Sequence, residues 1–276
     1  MKITHDFHVH TSLSLCASRD ATATGYIEMA KKNGLKKIGF SDHFWDDLVD
    51  SMTCRHILPN FPDPFYGVGK QNFEHVTSLL PELYGLRSEE LEIFFGVEAD
   101  YDPFHHSISV APEHAEQFDF IIVPNSHTHM MMPKDYYEPK RKHIDYMFTA
   151  LEDIVSSPLA KHITAIAHPF QAVCCPYGWE ILMDMISDDE YKRIFDKVAN
   201  KNIAVEINVS SFMNLDANDL EQHKSMRLFR NAKDVGCKFI FGSDAHSHGP
   251  MAKYAICDKI ADALCLKEDD IAEIAR

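Results

Sequence analysis

The stretch DFHVHTSLSLC, residues 6–16, opens as a short apolar run and closes it with two histidines one residue apart. Alternate residues of a strand project to the same side, so His8 and His10 are placed to act together on whatever lies beyond the strand end. Taken alone the pattern is weak, because most HxH triplets are ordinary hydrogen-bonded histidines. Its meaning comes from what the rest of the chain does at comparable places.

Apolar, often β-branched runs recur at Ile3–Val9, Lys37–Phe40, Leu91–Val97, Phe118–Val123, Ile163–Ala167, Ile203–Ile207 and Lys238–Phe241. Segments of helical spacing lie between most of them: Thr24–Asn33, Asn72–Tyr84, His143–Ser156, Asp188–Asn200 and Glu221–Val235. Gly34, Gly85 and Gly236 stand where helices should stop. Strands alternating with helices predict a parallel α/β architecture. No linker divides the chain, so residues 1–276 are expected to form one domain with inserts at about 44–70 and 130–142.

The strand ends then carry the chemistry. After the first come His8 and His10, after the second Asp42 and His43, after the third Glu98 and Asp100. The fourth ends in His127 and His129, the fifth in His168, the sixth in Glu206 and Asn208, the seventh in Asp244 and His246. In a barrel of parallel strands the C-terminal ends share one rim, so these distant residues converge. Imidazole with carboxylate is a ligand set for zinc, manganese or iron, and this many donors imply more than one ion. Glu206 and Asn208 are read as supporting residues, Asp42 as bonding backbone beside His43, and Asp6 as either orienting a histidine or facing solvent. The other histidines, His5 and His143 among them, are read as solvated or capping.

Composition narrows the partners. A net charge of −15 without a Lys/Arg run argues against nucleic acid. No apolar run is long enough to cross a bilayer and no apolar leader follows Met1, so a cytoplasmic protein is expected. Seven cysteines without CxxC spacing make a disulfide framework a poor reading.

With HVH at 8–10, SDH at 41–43, GVEADY at 96–101, SHTH at 126–129, AHP at 167–169 and SDAH at 243–246, the chain resembles the PHP family, named for polymerase and histidinol phosphatase domains. The resemblance implies a distorted (β/α)7 barrel with two or three divalent ions (Zn, Fe or Mn) at the C-terminal rim, and hydrolysis of a phosphoester. It further implies that His8, His10, Glu98 and Asp244 hold one ion, that Glu98 bridges to a second on His127 and His168, and that His43 and His246 hold a third. The family usually places Asp or His six residues after the second histidine. Here that position is Cys16, a softer donor that disfavours Mg or Mn. The segment from Asn72 through LEIFFGVEADYDP resembles the histidinol-phosphatase branch, whereas NSHTHM and Cys16 fit it less well.

The expected substrate is a small phosphorylated metabolite, histidinol phosphate being one candidate, attacked by hydroxide activated between two ions. Glu98 and Asp244 act as ligands at the reacting centre, and a protonated His246 serves the leaving alkoxide if the third site is empty. Arg19, Arg55, Lys134 and Arg141 in the rim loops are candidate phosphate contacts. Two other classes remain: a metal-dependent hydrolase of the amidohydrolase type, and a non-catalytic metal-binding module.

Overall fold

The structure, a computed structural model, describes residues 1–49, 71–172, 175–213, 215 and 219–276, the side chains of 130 and 131 excepted. Seven parallel strands follow one another around the sheet in chain order: β1 (His5–Val9), β2 (Lys37–Phe44), β3 (Glu92–Ala99), β6 (Phe120–Pro124), β7 (Ala165–Ala167), β8 (Ala204–Asn208) and β9 (Phe239–Gly242). Between β3 and β6, β4 (Tyr101–Asp102) and β5 (Ser107–Ile108) form a two-stranded antiparallel pair. The ends of the sheet meet through the bridge Val9 to Ala245, where His10 N–H donates to Ala245 O at 3.0 Å. The result is the expected (β/α)7 barrel.

Each expected strand is present, within a few residues at either end. The helices follow their end signals. Thr22 caps Ala23–Asn33 by accepting from Gly25 N–H, and Gly34 ends it at φ +73°. Asp188–Asn200 starts on a capping box of Ser187 and Glu190, which the sequence SDDE already spells. One expectation is corrected. The helix expected over Asn72–Tyr84 is two shorter ones, Phe73–Thr77 and Leu80–Leu86, because Pro81 cannot donate a backbone hydrogen bond to the preceding turn. Gly85 lies inside the second helix and does not stop it. Of the insert expected at 44–70, residues 50–70 lie outside the described residues.

The barrel interior is filled from below by aromatic rings. Phe7 meets Phe94 and Phe120 with centroids 5.1 Å apart in each case, the second pair edge to face. Room for Phe120 exists because β2 and β3 have no side chain at Gly39 and Gly96, where an added Cβ would come within 2.6 and 2.4 Å of its ring. The register of β1 against β2 slips between Asp6, which pairs with Ile38, and Val9, which pairs with Phe40. This bulge lets two consecutive residues face inward, Phe7 toward the plug and His8 toward the rim above it.

At the lower end His5 is buried, not solvated, and its Nε2 accepts from Phe241 N–H at 3.0 Å. Burial, reinforced by Lys37, lowers its pKa from 6.5 to about 3. His143 is likewise fully buried, neither solvated nor capping, whereas His223 does cap the helix Lys224–Asp234.

Two predictions follow from the plug and its base. Gly96→Ala should lower stability by about 1–3 kcal/mol or more, since the new methyl meets a ring and a backbone oxygen; urea denaturation of the purified variant measures it. The neutral His5 contributes stability that is complete above pH 6.5 and is lost as pH falls toward about 3. His5→Gln, whose amide oxygen can still accept from Phe241, should flatten the stability–pH slope in that window by up to about 1.4 kcal/mol per pH unit. An unchanged slope would show that another group carries the dependence.

Candidate metal centre

Four overlapping groups of donor atoms, each within 4.8 Å of one another, lie at the C-terminal rim among the described residues: His8 with His10 and Glu98; Glu98 with His127 and His168; His8 with His168 and Asp244; and His10 with His43 and His246. They draw on the ends of six strands, and the rim therefore does bring the histidines together. Glu98 sits between two sides. Its Oε1 lies 2.9 Å from His168 Nε2 and 3.6 Å from His127 Nε2. Its Oε2 lies 2.9 Å from His43 Nδ1, 3.5 Å from His10 Nε2 and 3.6 Å from His8 Nε2. Asp244 Oδ1 is 3.5 and 3.4 Å from Nε2 of His8 and His10.

Most of these imidazoles are held by the other nitrogen. His8 Nδ1 is 2.6 Å from Glu206 Oε1, and His127 Nδ1 is 2.7 Å from Asp100 Oδ1. His10 Nδ1 reaches Ser14 Oγ at 3.2 Å, and Ser14 donates onward to Asp42. His168 Nδ1 lies 2.7 Å from Ser126 Oγ. With each Nδ1–H donated outward, the Nε2 lone pair is turned to the centre, the usual arrangement of metal-bound histidine. His8 Nε2 and His10 Nε2 then face each other at 2.9 Å. Two lone pairs at that distance repel unless a proton or a cation lies between them.

The electrostatics agree. Burial disfavours charge on His8, yet Glu206, Asp244 and Glu98 outweigh it and raise its pKa well above the usual 6.5. His43 is also raised, burial being overcome by Glu98 and Cys16. Glu98 is pulled well below the carboxylate range despite burial, by His127, His8 and His43. Its buried Oε2 nevertheless receives no hydrogen bond of acceptable geometry. Protons on imidazole thus stand where cations would, and a donor set of imidazole and carboxylate with an unsatisfied buried oxygen fits divalent ions such as zinc, iron or manganese.

The backbone is bent to deliver two of these donors. His168 and Asp244 adopt φ of +25° and +52°, a conformation that costs a non-glycine residue on the order of 1–3 kcal/mol. Hydrogen bonds hold both: His168 N–H donates to Glu206 Oε2 at 2.6 Å, and Asn208 Nδ2 donates to Asp244 Oδ2 at 3.2 Å.

Cys16 is at the exposed edge and joins none of the four groups. Burial of the sulfur would raise its pKa, but hydrogen bonds to His246 and His43 lower it from 9.0 to about 6. Arg19 and Lys134 are exposed, Arg141 is engaged by Asp145 at 2.7 Å and Glu190 at 2.5 Å, and Arg55 lies outside the described residues. Asp42 does bond backbone, accepting from Thr11 N–H at 2.8 Å as well as from Ser14 Oγ, and the fully buried Asp6 accepts from backbone N–H of His8 and Ser243 rather than from a ring. Ser14 and Ser126 were not singled out by the sequence. Only their positions four residues after His10 and one before His127 hinted at them.

Residues 6–210 match the family model of the PHP domain, and the chain belongs to that family. It is 24% identical over 267 residues to a Shewanella halifaxensis protein described as a "probable phosphatase", covering 95% of this chain and 85% of that one. Among solved structures it is similar to a Lactococcus lactis histidinol phosphate phosphatase complexed with zinc, L-histidinol and phosphate, at a TM-score of 0.58 and 16% identity over 94% of this chain and 93% of that one. It is also similar to a Listeria monocytogenes protein provisionally assigned as a histidinol phosphatase, at a TM-score of 0.67 and 12% identity over 91% and 99% of the two chains. No helix among the described residues is long and apolar enough to cross a membrane.

Because His8 and His43 hold protons above their ordinary pKa, ion uptake should release protons and tighten as pH rises. Zinc titration by calorimetry in buffers of differing ionisation enthalpy counts them. Glu206→Gln, which weakens the hold on His8, should lower zinc affinity by roughly 10–100-fold. Glu98→Ala should lower the number of ions bound and abolish turnover, as read by metal analysis and phosphate release.

Proposed function

Proceeding from membership of the PHP family, we propose that this chain is a metal-dependent phosphoesterase that cleaves the phosphomonoester of a small alcohol. The observation that carries the reading is Glu98, whose two oxygens face separate sets of imidazoles across a buried gap. In this reading His8, His10, Glu98 and Asp244 hold one ion and Glu98, His127 and His168 a second, with His43, His246 and Cys16 completing a third site. Divalent ions held by these residues would supply an activated water near neutral pH and positive charge for the phosphoryl group.

The protein's own residues do the remaining work. Glu206, Asp100, Ser14 and Ser126 keep each Nε2 aimed inward, so no reorganisation is needed when the substrate arrives. The Phe7–Phe120 plug closes the barrel beneath the centre and shuts off water from below. His246 Nδ1–H donates a hydrogen bond to Asp244 O at 3.0 Å, which leaves Nε2 for an ion or, when protonated, for the departing alkoxide. Two carboxylates, Glu98 and Asp244, are among the proposed ligands and two more, Glu206 and Asp100, hold ligating rings, so three divalent ions would make the centre locally cationic despite the chain's −15. Substrate phosphate is therefore attracted to the rim. The zinc, histidinol and phosphate of the Lactococcus complex support a small phosphorylated substrate, histidinol phosphate among the candidates.

Phosphate release from phenyl phosphate by protein of measured metal content tests the reading, and orthophosphate should inhibit competitively. A rate unaffected by high orthophosphate would remove most of its support. Cys16→Ala should lose about one metal equivalent and much of the turnover, whereas Cys16→Asp should restore part of both with a preference for harder ions. Unchanged metal content in Cys16→Ala would leave a two-ion site.

A further inference from the structure

A cleft of about 330 Å³ opens off the centre in the sector of β7, β8 and β9. We propose that it holds the alcohol half of the substrate, and that this alcohol is uncharged and sugar-like rather than an amino alcohol. The inference rests on the phosphomonoesterase reading above and narrows it.

His168 and Asp244 line the inner end of the cleft, and both belong to the donor groups, so a phosphoryl group bound at the centre would have this cleft beside it. His43 and Cys16 lie in the β1–β2 sector, away from this opening. The other walls are neutral. Gln171 Nε2 donates to Ser225 Oγ at 3.0 Å and to Ser211 Oγ at 3.4 Å, which fixes the amide and leaves its Oε1 without a partner among the described residues. Ser210 and Ser211 donate their hydroxyl protons to Asn208 Oδ1 and Asn208 O, which leaves Ser210 Oγ both lone pairs and Ser211 Oγ, an acceptor from Gln171, one. Three residues with neutral acceptor oxygens thus line the space, a set suited to hydroxyl donors.

Trp179 supplies the flat surface. It is half-buried, its ring 5.6 Å from that of His223, and its Nε1–H has no hydrogen-bond partner among the described residues. The C–H face of a sugar ring packs on an indole while its hydroxyls, lying near the ring plane, reach acceptors at the sides. An ammonium group could also use the indole face. Two features oppose it: the inner end is cationic once ions are bound, and apart from Asp244, already committed to the ions, the lining offers no carboxylate among the described residues. Of the two charged groups that act on Cys175 at the cleft wall, Lys140 acts more strongly than Glu180, which does not favour a cation there.

Metal-loaded protein should release phosphate from pentose and hexose monophosphates with a kcat/KM at least tenfold above that for histidinol phosphate or phosphoethanolamine. Gln171→Glu places a carboxylate among the acceptors and should shift that ratio toward the amino alcohols. The chain has two tryptophans, and Trp45 is only 1% exposed, so fluorescence quenching by a sugar phosphonate should report Trp179 and vanish in Trp179→Phe. A preference for amino-alcohol phosphates, or a Gln171→Glu ratio equal to that of the parent, would overturn the assignment. If no ester, phenyl phosphate included, were hydrolysed by protein of confirmed metal content, the phosphomonoesterase reading would fail. Quenching of Trp179 by the phosphonate would then still support a sugar cleft, and its absence would end that as well.

Discussion

A carboxylate buried among imidazoles is the constraint on which the rest of this protein turns. Glu98 is 1% exposed and faces five histidines, from four different strand ends. An isolated ion so placed would cost several kcal/mol in lost hydration, and it is tolerable only because positive charge surrounds it. In the ion-free protein that charge comes from protons on histidine. The same geometry makes the centre a receptor for divalent ions, because each proton occupies a lone pair already aimed at the carboxylate.

Several of the scaffold's departures from regularity serve this cluster. The slip in β1 turns His8 inward directly above Phe7, and the missing side chains at Gly39 and Gly96 admit Phe120 beneath the site. Left-handed backbone at His168 and Asp244 aims two donors across the rim, and Glu206 alone holds both the His8 ring and the His168 amide. Regular strands with ordinary packing would be more stable locally. They would also send alternate side chains out of the barrel instead of toward one another.

The overall charge and the local charge of the protein have opposite consequences. An acidic surface discourages polyanions such as nucleic acid, whereas a small phosphate ester reaching the rim meets the ions before it senses the distant carboxylates, which salt screens over about 10 Å. A neutral cleft beside a cationic centre divides recognition in the same way, with the phosphoryl group providing the attraction and the alcohol the fit.

Much of this was legible in the order of residues alone. Seven apolar runs followed by His, Asp or Glu determined the parallel barrel and its ligand-bearing rim, because strand periodicity and shared polarity of the ends are local properties. The capping box at Ser187 and the stop at Gly34 are local too. The pairing of each imidazole with its holder was not legible: Glu206 lies 198 residues from His8, and Ser126 lies 42 from His168, so only closure of the barrel brings them together. His5 and His143 were misjudged for the same reason, since burial is set by what the fold places around a side chain. Cys16 shows both sides. Its position after His10 marked it as a candidate donor, but its place at the edge beside His43 and His246 was decided by the turn that Ser14 and Asp42 hold, a contact between residues 28 positions apart.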